Sequence, residues 1–139
     1  MQVVGFNFTK IAAEKTSGFK KADLNADIQF IDLEKQKIEI LKDSDGAKLF
    51  FKHSLNYLNN EKKEERLAQV LFEGNITLSL TKEESKEITK TWKNKKLPQN
   101  MTISLYNFIL KKCASQALNL QDELNLPSHV QIPKLTPPQ

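Results

Sequence analysis

The chain has 139 residues, the length of one ordinary domain and too short for two. Apolar residues make up 39% and charged residues 27%, which excludes a disordered tail, and no apolar run approaches the ~20 residues of a spanning helix. Basic residues number 21 against 17 acidic ones, a net charge of +4, but the signs are interleaved, as in Glu61-Lys62-Lys63-Glu64-Glu65-Arg66. That mixing describes a solvated surface better than the single basic stripe of a nucleic-acid binder. The opening residues Met1 to Phe6 lack the basic and apolar regions of a signal peptide, so a cytoplasmic protein is expected.

The first two-thirds alternates with period two, the mark of half-buried strands in an antiparallel sheet. Val4, Phe6 and Phe8 are expected on one face of a first strand that runs to about Ala13. A second strand, Ala22 to Leu33, places Leu24, Ala26, Ile28 and Phe30 on one face and Asp23, Asn25, Asp27 and Gln29 on the other. Ile38 and Ile40 alternate within Lys37 to Leu41, either as a separate short strand or as the end of a long bent one. Asp43-Ser44-Asp45-Gly46 reads as a turn, because Asp-Gly supplies a side-chain hydrogen bond and a positive φ. Ala47, Leu49, Phe51, Leu55 and Tyr57 then define an inward face, with His53 in register as a hydrogen-bonded residue at the core's edge.

After a charged loop from Asn59 to Glu65 comes the cleanest alternation, with Ala68, Val70, Phe72, Gly74, Ile76, Leu78 and Leu80 inward. Gly74 marks a bend, a bulge or a close approach of backbone. Leu71 breaks the polar opposite face, as do Phe50 and Leu58 on the preceding strand. Together with Phe19 in a loop, they are either scattered exposed apolar residues or a self-association surface.

The period changes at Thr81. Thr81-Lys82-Glu83-Glu84 is a capping box, and a helix to about Lys93 follows with only Ile88 and Trp92 as its apolar stripe. A second helix is expected from about Gln99 to Leu120, with Met101, Leu105, Phe108, Ile109, Cys113, Ala117 and Leu120 at helical spacing. Tyr106, Leu110 and Leu118 widen its apolar face beyond what one sheet covers, so they are expected at a symmetric contact in a homo-oligomer, a dimer or a dimer of dimers. From Pro127 onward, four prolines forbid a helix and favour an extended tail over residues 127–139.

The residues that carry common chemistries are missing. The chain has four glycines, too dispersed for a phosphate cradle, and it lacks GxSxG and HExxH. One cysteine and two histidines give no zinc spacing, and Cys113, within an apolar stretch, reads as a buried structural thiol. Asp32, between Ile31 and Leu33, is the carboxylate nearest an apolar context, and a solvated role is expected for it. No catalytic residue, metal or cofactor is expected.

Strands first and helices last is the α+β arrangement. In order and spacing the chain resembles the SecB export-chaperone family. Arg66 to Ile76 is similar to that family's last strand, which leads through a glycine into an alternating apolar run. Leu105 to Ile132, a long helix followed by Asn125-Leu126-Pro127 and a Pro-spaced apolar tail, is similar to the family's final helix and exit segment. The resemblance implies one SecB-like domain over 1–139, with a four-stranded antiparallel sheet and two helices packed on one face. It also implies a nucleotide-independent chaperone that binds unfolded or nascent polypeptides. Phe6, Phe8, Phe19, Leu71 and Trp92 are the candidate client-binding residues. The bacterial export chaperones are acidic and this chain is basic, and its tail is uncharged apart from Lys134. General holding activity, or a role beside a toxin–antitoxin system, therefore fits better than partnership with an export motor. The alternative is a small nucleic-acid-binding module using Lys90, Lys93, Lys95 and Lys96 with Trp92, where lysines neutralise phosphates and the indole stacks on a base.

Overall fold

The computed structural model describes residues 1–16, 19, 21–36 and 44–138. Four long strands, β1 (Gln2–Lys15), β2 (Ala22–Gln36), β3 (Asp45–Asn59) and β4 (Arg66–Leu80), precede two helices, α1 (Lys82–Trp92) and α2 (Gln99–Glu123). The strands form one antiparallel sheet in the order β1-β4-β3-β2. β2, β3 and β4 are successive neighbours, and β1 closes on β4, so β1 and β2 are the two edges. The expected α+β class, with helices against one face of a four-stranded sheet, is the observed one. None of the described helices is long and apolar enough to cross a membrane.

Alternation sorts the central strands as expected. Odd positions of β3 from Ala47 to Tyr57 and even positions of β4 from Ala68 to Leu80 face the helices. Their buried side chains, with Leu49, Phe51, Val70, Phe72, Ile76 and Leu78 sealed from solvent, form the core. Each large member contributes about 1.5–3 kcal/mol by leaving water.

The edge strands depart from strict alternation. In β1 the pairing with β4 skips Val4 and Thr9, and in β2 the pairing with β3 skips Ile31. Each skipped residue is a bulge, and an extra residue flips the faces of those beyond it. The expected face of Val4, Phe6 and Phe8 is thereby corrected. Val3, Phe6, Phe8 and Ile11 register with the inward β4 residues, while Val4 falls in the bulge and is half exposed. The expected turn at Asp45-Gly46 is also corrected. Both residues lie inside β3, paired with Leu80 and Ser79, because the sheet ladder outweighs the local turn preference. Asp43 of that turn, and Lys37 to Leu41, lie outside the described residues.

One cross-sheet row explains Gly74. Phe8, Gly74, Phe51 and Phe30 are successive partners across all four strands, and the bulges Thr9 and Ile31 follow directly at both edges. A Cβ at Gly74 would strike the Asn7 carbonyl and press on the Phe51 ring at 3.0 Å. Glycine lets the central strand pass between them.

The Thr81–Glu84 capping box opens α1 as its spacing indicates. The Glu84 carboxylate also receives the Met1 ammonium at 2.7 and 2.8 Å, which pins the start of β1 to the helix. That ammonium, followed by the Thr81 backbone, holds the Glu84 carboxyl below its usual range. In α2 the buried residues recur every fourth position: Met101, Leu105, Ile109, Cys113, Ala117 and Gln121. The helix ends in a Schellman turn with Asn125 at φ 53°. Leu126 N donates to Gln121 O, and Asn125 N donates to Asp122 O. Residues 127–138 form neither helix nor strand.

Candidate functional site

Because α2 buries every fourth residue, the residues on either side of each buried one lie about 100° away on opposite flanks. Tyr106 follows Leu105 and stacks on Phe30 of β2 at 5.1 Å. Leu110, Ala114 and Leu118 stand in the same relation to Ile109, Cys113 and Ala117, so this apolar flank is turned toward β2. Phe108 precedes Ile109 and meets Phe6 of β1 at 5.6 Å, with the Lys112 ammonium above both rings. The helix therefore sits astride β3 and β4 and leaves both edge strands as margins.

The β2 margin is open, as is the β1 margin, where Ile11 registers inward and is 41% exposed. Leu24, Ala26, Ile28 and Phe30 register with the inward residues Tyr57, Leu55, His53 and Phe51. Leu24 is 37% exposed and Leu110 across the flank 40%, while Ile28 and Phe30 are half-buried. Beside this apolar strip runs the outer edge of β2, fifteen residues long, with no neighbouring strand among the described residues. An edge of that kind offers backbone N–H and C=O groups to any extended segment laid along it.

The five residues expected to bind a client do not converge. Phe6 and Phe8 share one cluster, edge to face at 4.8 Å, where Phe6 also stacks on Phe51 and Phe8 tilts against Phe72. Phe19 lies against Tyr57, with the Lys15 ammonium over its ring. Leu71 is buried on the opposite sheet face, opposite Ala12 and Ser54. Trp92 is half-buried against the core, with Lys95 over its ring at 5.5 Å. Residue type pointed to aromatics, which the fold has largely used for packing. The strip along Leu24 and Ile28 was visible in the sequence as one face of β2, but its exposure depends on where α2 lies.

Among the three expected contact residues on α2, Tyr106 is engaged by Phe30, Leu118 is half-buried, and Leu110 stands out toward solvent. Ile103, one turn earlier than Tyr106, is 55% exposed and adds to the same outward apolar surface. The lysines at 90, 93, 95 and 96 are all exposed. Lys95 adopts φ 57° at the end of α1, where its N–H bonds the Trp92 carbonyl.

A buried polar network closes the end of the β2 margin. Gln121 Nε2 donates to the Tyr57 hydroxyl at 2.8 Å, and that hydroxyl donates to the Pro127 carbonyl. Gln121 Oε1 accepts from His129 Nδ1 at 3.0 Å and from His129 N at 3.4 Å. Burial raises the Tyr57 pKa, against the opposing pull of its Gln121 hydrogen bond. Burial also keeps His53 and His129 below their ordinary range, and the proximity of His53 lowers His129 further. His53 meets the Asp27 carbonyl at 3.0 Å, and its ring lies parallel to Phe72. It belongs to the core itself, not to the edge expected for it. The Cys113 thiol is pushed up to about 12 by burial, which makes it a packing group and a poor nucleophile.

No family model matches the chain, and no curated protein matches it. A solved structure does. The chain is similar to the Mycobacterium tuberculosis SecB-like chaperone Rv1957, determined in complex with a ChAD peptide from the HigA1 antitoxin Rv1956. The likeness covers 99% of this chain and 92% of that one, with a TM-score of 0.52 and 17% sequence identity. At that identity the two share a fold: an open antiparallel sheet with two helices.

Proposed function

We propose that this chain is a SecB-like chaperone that holds unfolded or nascent polypeptides without nucleotide. The observation that carries the reading is the β2 margin, where an exposed apolar strip lies beside a fifteen-residue strand edge. The strip rewards the aliphatic and aromatic side chains that a folded protein hides, at about 25 cal/mol per Å² buried. The edge adds backbone hydrogen bonds that ignore client sequence. Support also comes from the fold shared with a chaperone that was solved with a peptide. Phe6, Phe8, Phe19 and Trp92, each partly exposed, remain in the proposal only as secondary contacts, reached by a long client that wraps past the margin, and Leu71, buried on the opposite face, would have to be uncovered to join them.

The proposal includes cytoplasmic residence, a single domain over 1–139 and a homo-oligomer. Leu110 and Ile103 give α2 an outward apolar face, and Leu118 and the free side of Tyr106 extend it. A role beside a toxin–antitoxin system fits this basic chain and its tail, uncharged apart from Lys134, better than partnership with an export motor. The test is aggregation of a chemically denatured model client, diluted into stoichiometric amounts of the folded protein without ATP. Suppression is expected, and unchanged aggregation would remove the reading.

A further inference from the structure

The segment after α2 lacks regular structure, yet its start is fastened. The Schellman turn at Asn125 reverses the chain and buries Leu126. The Tyr57 hydroxyl then holds the Pro127 carbonyl, and the Gln121 amide holds His129 through both its ring and its backbone. His129 lies near enough to His53 for their charges to oppose. Tyr57 and His53 are the partners of Leu24 and Ile28, the residues of the exposed strip. The segment thus returns over β3, on residues whose sheet partners belong to the β2 strip.

We infer that residues Leu126 to Ile132 are an internal occupant of that margin, a piece of the chain's own polypeptide that a client must displace. The inference rests on the polypeptide-holding reading above and adds its regulation. The chemistry of the segment is that of a client. Val130 and Ile132 alternate with Gln131 between Pro127 and Pro133, which exclude a helix, and the stretch bends at His129 and Val130. Its attachment is graded. Leu126 is buried, whereas Val130 is 42% and Ile132 56% exposed. The anchored end supplies a fixed direction and the loose end a place for a competitor to start.

The polar contacts at the anchor are between neutral groups, each of modest net strength, so the segment is held by a sum that a larger apolar ligand can exceed. An occupant present ~90% of the time weakens the apparent affinity for a client about tenfold. Such a device keeps weak or folded ligands off the strip and admits chains that offer more apolar surface than the segment does.

The test uses the full chain, a reduced and permanently unfolded model client, and nuclear magnetic resonance signals of the His129 amide and ring. In the free protein the His129 amide is expected to be protected from exchange, and saturating client should abolish that protection. His129→Ala, which frees the anchor, should bind the client up to about tenfold more tightly with unchanged helical and strand content. Val130→Asp, at an exposed position, should shift affinity in the same direction and serves as the second variant. Client binding that leaves His129 protected, or affinities unchanged in both variants, overturns the internal-occupant inference alone. Failure of wild type and both variants to bind any client overturns the polypeptide-holding reading and this inference together.

Discussion

Gln121 of α2 donates a hydrogen bond to the hydroxyl of Tyr57 in β3, 64 residues earlier, at 2.8 Å in a site where both side chains are almost fully buried. The contact fixes the C-terminal half of α2 over the sheet and sets the path of the chain beyond it. Tyr57→Phe removes the hydroxyl but leaves the Gln121 amide and the Pro127 carbonyl wanting partners. Urea denaturation should show a loss of about 1–3 kcal/mol, the cost of buried polar groups left unpaired. A change of a few tenths would mean that water substitutes freely at the site.

Gly74 lies in the row that links Phe8, Phe51 and Phe30. Gly74→Ala would force the new methyl against the Asn7 carbonyl and the Phe51 ring. Overpacking of this kind costs about 1–3 kcal/mol, and relief would require β1 to move off β4. The thermal midpoint should fall, and amides of β1 should exchange faster than those of β3.

Stability should decline in two stages as pH is lowered. Burial depresses the pKa of His53 and His129 below 6.5, with the Asp27 carbonyl and carboxylate only partly opposing this at His53. A depressed folded pKa means that the unfolded chain binds more protons, so this stabilisation is complete above about 6.5 and is lost as pH falls below it. Glu84, lowered from 4.5 chiefly by the Met1 ammonium and then by the Thr81 backbone, contributes stability above 4.5 that is lost at more acidic pH. Urea midpoints measured from pH 8 to pH 4 should show the upper stage in wild type and a smaller one in His53→Gln. A midpoint that rises between pH 7 and pH 5 would contradict this assignment.

The outward face of α2 gives a prediction about assembly. Leu110→Asp, at a side chain 40% exposed in the single chain, should lower the mass in solution and leave the secondary structure largely intact. A monomeric wild type at tens of micromolar, by light scattering, would remove the proposed oligomer.

The sequence was most informative where one local rule governed the outcome. Alternation from Ala68 to Leu80 marked the central strand because both neighbours and the helices cover it evenly. The Thr81–Glu84 spacing marked the start of α1 because a capping box is closed within four residues. Alternation failed at Val4, Thr9 and Ile31, where bulges insert a residue that no local preference announces. The pairing of β1 with β4 and the Tyr57–Gln121–His129 network join distant segments, and each residue alone is unremarkable in its local context. The candidate strip was half legible. Its residues were assigned to one face of β2, but the placement of α2, which the strand's own pattern does not announce, sets how far Leu24 and Ala26 stand in solvent.

Amide hydrogen exchange along β2, with and without an unfolded client, tests directly whether the β2 margin holds polypeptide. Saturating client is expected to slow exchange at the outward amides between Ala22 and Gln36, with little change along β3 and β4. Client binding that leaves β2 exchange unchanged, or protection confined to the Lys90–Lys96 segment, would contradict it.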